Sequence, residues 1–168
     1  RRPVGRLRLG LINRNGALAY GLSLLVLVLD QISKHWILFV FDLPARISEK
    51  VAGPFHLTMV WNQGVSFGLM RADQDLGRWL LVAFSLVVAA ALAVWARKSE
   101  RRLMAAALGL VMGGAVGNAI DRARFGAVVD FIDVSRLYFP WVFNIADAAI
   151  TVGVILLLLD SLRKESRA

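Results

Sequence analysis

No cysteine occurs anywhere in the chain, so neither a disulfide framework, a thiol nucleophile nor a thiolate metal site is available. Histidine is almost as scarce. His35 and His56 are too few for an imidazole zinc cluster, and no P-loop, dinucleotide fingerprint or metal-binding motif is present. Charge is sparse as well: only 19% of the 168 residues are Asp, Glu, Lys or Arg. What fills the space is apolar sequence, with 58% of residues hydrophobic and a mean hydropathy of +0.62, the composition of a membrane protein. The formal charge of +8 does not point to nucleic acid, because the basic residues stand in short clusters between apolar runs, where they orient membrane helices.

The apolar runs predict a single integral membrane domain over residues 1–168, all-α with four spans at about 18–40, 76–96, 101–121 and 144–162. The first run is long and carries Asp30 and Lys34, unlike the short uniform core of a cleavable leader. These two residues are four apart and share a helix face, so they neutralise each other or point together into the bundle. Trp79 and Trp95 flank the second span as interfacial aromatics do. In the third span Gly109, Gly113 and Gly117 recur at intervals of four, a smooth stripe suited to close helix packing. Residues 42–75 have Pro44, Pro54 and the β-prone run "FHLTMVWNQGVSFGL", which predicts a small sheet or hairpin at the membrane surface. Residues 122–142 read as a polar and aromatic connection. Lys and Arg number five in the N-terminal tail, four in the 97–102 link and three after the last span, twelve of the 20. This bias predicts cytoplasmic termini, with 42–75 and 122–142 facing outward.

Acids at membrane depth are expensive unless paired, hydrated or protonated, and each is a site hypothesis. Asn144 and Asp147 stand three apart at the start of the fourth span, the spacing of a helix cap. Asp130 is delivered to the same depth by the preceding connection. Two carboxylates sharing a proton across a water can divide the roles of acid and base, titrating as a coupled pair. The spacing leaves catalysis, capping and transport all open. Asp121 is expected to pair locally with Arg122 and Arg124, Asp133 to be solvated in a polar loop, and Asp160 to be paired or wet near the cytoplasmic exit. "GVSFG" at Gly64 to Gly68 satisfies G-x-S-x-G, but both histidines precede Ser66 and no parallel sheet is available, which argues against a serine hydrolase.

Five ordered segments, "DQISK", "NQGVSFG", "GGAVGNAIDR", "GAVVDFID" and "FNIADAAITVG", resemble bacterial lipoprotein signal peptidase, also called signal peptidase II or peptidase family A8, over nearly the whole chain. The resemblance implies a four-span aspartic endopeptidase of the bacterial inner membrane, with its active site near the periplasmic surface. Such an enzyme cuts diacylglyceryl-modified prolipoproteins just before the lipidated cysteine, needs no cofactor or metal, works among membrane phospholipid, is blocked by globomycin and is expected to act as a monomer. Carried over residue by residue, its catalytic pair falls on Asp130 and Asp147. Asn62, Gly64, Asn118, Asp121, Arg122 and Asn144 match supporting or pocket-lining positions, and Asp30 and Lys34 match the first-span pair. Val65 and Ser66 depart from the small alanines common in relatives and alter the pocket wall. A proton-coupled transporter, with acids spread through membrane depth, and a non-catalytic lipoprotein-binding scaffold are the alternatives.

Overall fold

The computed structural model describes residues 12–64, 74–137 and 139–165. Arg1, Arg2, Arg6 and Arg8 of the basic tail, and Val65 and Ser66 of the expected pocket wall, lie outside them. Among the described residues four helices are long and apolar enough to cross a membrane. They are α1 (Arg14–His35, continued by a π-helical turn, Trp36–Val40), α3 (Gln74–Ala96), α4 (Arg102–Phe125) and α5 (Ile145–Glu165), with a single turn, α2 (Leu43–Arg46), after the first. α1 and α3 start, and α4 and α5 stop, a few residues beyond the apolar runs, and the other four ends fall within a residue of them. Polar residues at a span end keep their backbone bonds inside the helix, so the helix outlasts the hydrophobic stretch.

α4 lies at the centre and packs against α1, α3 and α5. Its small side chains make this possible. A Cβ on Gly109 would collide with the backbone of Ala19, and one on Gly113 would sit 2.5 Å from the carbonyl oxygen of Ser23, both on α1. On another face Gly114 meets Ala146 of α5 in the same way. Because lipid is as apolar as leucine, such close backbone packing holds helices together where water supplies no driving force. The outer helices turn residues such as Phe84, Val87 and Leu158 away from the protein, and Trp79 and Trp95 are half-exposed near the two ends of α3.

At the end of the bundle where α4 stops and α5 starts lies a four-stranded antiparallel sheet in the order β1 (Ser48–Ala52), β2 (Phe55–Asn62), β3 (Val128–Asp133) and β4 (Val142–Phe143). A hairpin within 42–75 was expected; its pairing with two strands from 122–142 was not. That connection is strand, a 3-10 turn (Ser135–Leu137) and strand rather than a loop. Val128, Val129, Asp130 and Phe131 are all buried, so β3 has no polar-outward alternation by which a strand is recognised. Val129 and Phe131 pack with Ile37, Leu38 and Leu43, which ties the sheet to the end of α1.

Candidate active site

The start of α5 organises the site. Asn144 Oδ1 accepts from the backbone N–H of Asp147 at 2.9 Å, and Asp147 Oδ2 accepts from the backbone N–H of Asn144 at 3.3 Å. This is a reciprocal capping box. It uses one polar atom of each side chain and leaves the other free. The free Asn144 Nδ2 donates to Asp130 Oδ1 at 2.7 Å and lies 3.2 Å from both the Val129 carbonyl and Asn118 Oδ1. The free Asp147 Oδ1 accepts from Asn118 Nδ2 at 2.7 Å. Capping and site-building are therefore the same arrangement, and the two aspartates are joined through Asn144.

Asp130 sits in the middle of β3 and is 1% exposed. Its second oxygen accepts from Asn62 Nδ2 at 3.0 Å, and this contact depends on a β-bulge. Leu57 pairs with Ile132, but Val60 pairs with Asp130, so one extra residue is taken up in β2 between them. Without it Met59 and Trp61 would share the face of Asp130 and Asn62 would point to the other side. Asn62 Oδ1 also accepts from Gly64 N–H at 2.8 Å, which fixes the amide with its donor toward the carboxylate. Burial is the main reason the Asp130 carboxyl is pushed up to about 6, and the nearby charge of Asp147 adds to it. The hydrogen bonds from Asn62 and Asn144, and the charge of Lys34, work in the opposite direction.

A buried ionic brace stands behind the pair. Lys34 Nζ lies 2.8 Å from Asp30 Oδ2, 2.7 Å from Asp121 Oδ2 and 3.2 Å from Asn118 Oδ1, which uses all three ammonium donors. Asp30 Oδ1 accepts from Ala146 N–H at 3.0 Å, in the first turn of the helix that carries Asp147. Asp121 Oδ2 accepts from Val129 N–H at 3.1 Å, next to Asp130 on its strand. One lysine thus holds two carboxylates, each of which grips the element bearing one aspartate. The expected pairing of Asp121 with Arg122 and Arg124 is corrected: its ionic partner is Lys34 on α1. Neighbouring residues on a helix diverge, so Asp121 and Arg122 do not face each other. Gln31, not singled out from the sequence, donates toward Asp121 Oδ1 at 3.0 Å, Asp30 Oδ2 at 3.2 Å and the Gly117 carbonyl at 3.3 Å. Its signal was present as a polar side chain at membrane depth beside Asp30.

Arg122 and Gly64 meet at the edge of this network. Gly64 has φ +77°, a conformation that favours glycine, and a Cβ on it would lie 3.0 Å from an Arg122 guanidinium nitrogen, a tight fit. Among the described residues Arg122 makes no ion pair, and its buried Nε has no hydrogen-bond partner. Asp133 is not solvated as expected: it ends β3, is 9% exposed and accepts from Thr58 and from Ser135 N–H. Asp160 pairs with Arg101 at 2.8 Å at the opposite end of the bundle.

The geometry suits acid–base work on water: one carboxyl that retains a proton toward neutral pH, a second carboxylate joined to it through an asparagine, and an adjacent arginine with donors to spare. The family described as signal peptidase (SPase) II matches residues 22–163. Among similar proteins, a lipoprotein signal peptidase of Caulobacter vibrioides is 58% identical over 155 residues, 92% of each chain. One from Methylorubrum extorquens is 50% identical over 156 residues, covering 92% of this chain and 90% of the relative. A bacterial membrane enzyme solved by the in meso method at 2.3 Å superposes with a TM-score of 0.75 at 28% identity, over 90% of this chain and 91% of that one.

Proposed function

Because the chain belongs to the signal peptidase II family, we propose that it removes signal peptides from diacylglyceryl-modified prolipoproteins, cutting just before the lipidated cysteine with Asp130 and Asp147 as the catalytic pair. The observation that carries this assignment is Asn144, which closes the cap on Asp147 while donating to Asp130. Asp147, in the first turn of α5 where backbone N–H groups favour a carboxylate, takes a proton from water. The hydroxide attacks the scissile carbonyl as Asp130, protonated, gives its proton to the carbonyl oxygen. Collapse of the tetrahedral intermediate returns a hydroxyl proton to Asp130 and breaks the C–N bond, while the proton held on Asp147 passes to the departing amine. The products are a signal peptide with a free carboxylate and a lipoprotein beginning with its modified cysteine. Arg122 orients the peptide backbone over Gly64, Asn62 holds the Asp130 carboxyl, and Asn118, Asp121, Asp30 and Lys34 keep the pair in register.

The distribution of Lys and Arg supports cytoplasmic termini and a sheet facing outward from the inner membrane. In that setting the substrate's acyl chains remain in phospholipid, and the monomer carries every group the reaction uses. Globomycin-type inhibitors are expected to occupy the same pair. A transporter needs acids spaced along a path, whereas here Asp30 and Asp121 share a single lysine. The test is cleavage of a diacylglyceryl-modified prelipoprotein by purified protein in detergent. Asp130→Asn and Asp147→Asn should each abolish turnover, and wild-type rates in either would sink the assignment.

A further inference from the structure

Asn62 reaches Asp130 only because β2 takes up an extra residue, and something must hold that residue where it is. A bulge can migrate, and sliding it by a few positions reverses which side chains face Asp130. On the β1 side Thr58 pairs with Ser48; toward β3 the regular pairing ends just before it, at Leu57 with Ile132. Its hydroxyl lies 2.6 Å from Asp133 Oδ2 and 2.9 Å from Ser48 Oγ. The direction of these bonds follows from the donors available. A carboxylate can only accept, so the single Thr58 proton goes to Asp133 and Ser48 donates to Thr58. The result is a chain across three strands, Ser48 to Thr58 to Asp133, with the other Asp133 oxygen taken by the Ser135 N–H at 2.8 Å.

Asp133 and Asp130 are three apart on β3, so they lie on opposite faces of the sheet. Asn62 and Thr58 are four apart on β2 and would share a face in a regular strand. The bulge between them is what lets each reach its own aspartate. We propose that Thr58 and Asp133 form a register latch whose role is to fix the bulge and thereby aim Asn62 at Asp130, making both of them positioning residues for the hydrolysis. The inference rests on the assignment of Asp130 as a catalytic residue. Burial pushes the Asp133 carboxyl up, but the bonds from Ser135 and Thr58 and the charge of His56, paired directly across on β2, outweigh it and hold the carboxyl below its usual range. Asp133 is thus an ionised acceptor at neutral pH, as the bond from Thr58 requires.

The experiment uses the full chain in detergent with a diacylglyceryl-modified prelipoprotein. Thr58→Val keeps the branched shape and strand preference while deleting the hydroxyl. It should lower kcat by about tenfold or more with little change in KM, because the lost contact acts on Asp130 rather than on the substrate. Thr58→Ser, which restores the donor, should recover most of the rate. In an Asn62→Ala background Thr58→Val should cost nothing further, since the latch works through Asn62. Backbone amide exchange at Val60–Asn62 and Val128–Asp130 should quicken in Thr58→Val while α4 stays protected. A Thr58→Val enzyme with wild-type kcat, or a double variant whose loss is the product of the two single losses, overturns the latch. The exchange measurement does not depend on catalysis. An active Asp130→Asn enzyme would remove the catalytic assignment and leave that result standing, whereas unchanged exchange in Thr58→Val removes the latch even when Asp130→Asn is dead.

Discussion

Asp130→Asn should stabilise the protein at pH 7.5 while destroying its activity. A carboxyl that titrates at about 6 in the folded chain instead of 3.8 carries about 3 kcal/mol of extra cost when charged. The neutral amide does not bear that cost. It brings one of its own: Asp130 accepts from Asn144 on one oxygen and from Asn62 on the other, so an NH2 group on either side meets a donor and forfeits roughly 1 to 1.5 kcal/mol. A net gain of about 1.5 to 2 kcal/mol remains, equivalent to a Tm rise of roughly 3 to 8 °C in a chain of this size. The sign with pH follows from proton counting. Between about pH 4 and 6 the folded chain keeps the Asp130 proton that the unfolded chain has lost, so wild-type stability falls across this window and levels off above it. The variant's advantage should appear over the same window and vanish below about pH 4. Thermal unfolding of both proteins in one detergent at pH 4 and pH 7.5 reads it directly. A variant less stable than wild type at pH 7.5, or a difference unchanged between the two pH values, would refute the reasoning.

If Asp130 must carry a proton to act as the acid, kcat/KM should decline as pH rises through about 6, and a flat profile from pH 5 to 9 would count against that role. Lys34→Met strands Asp30 and Asp121 without their shared counterion and should cost about 3 to 5 kcal/mol, visible as poor yield and a lowered Tm. Adding Asp30→Asn and Asp121→Asn should restore much of that stability. Gly113→Leu would drive a side chain against Ser23 on α1 and should lose about 1 to 3 kcal/mol or prevent assembly. Gly21→Ala, which meets nothing within 4 Å, should stay within about 1 kcal/mol of wild type.

The Asp130 prediction draws on both what is local and what is not. Four runs of apolar residues are enough to specify four helices, because in hydrocarbon each backbone must satisfy its own hydrogen bonds. The glycine stripe on α4 and the cap at Asn144 are equally local, being set by spacings of four and three. The resemblance to signal peptidase II was legible in five short segments, and the family match over residues 22–163 agrees with it. Nothing in those segments, however, says what each polar group touches. β3 was hidden because it is buried on both faces and shows no alternation. Lys34, rather than the adjacent Arg122, is the partner of Asp121, and the two come together only when α1 packs on α4. The bulge that aims Asn62 at Asp130 exists only in the pairing of two strands separated by two membrane spans and their links. Sequence determined which costly groups enter the membrane. Tertiary structure decided how they offset one another, because a buried charge is stabilised by whatever donor the fold brings within about 3 Å, and that donor lies most often on another element.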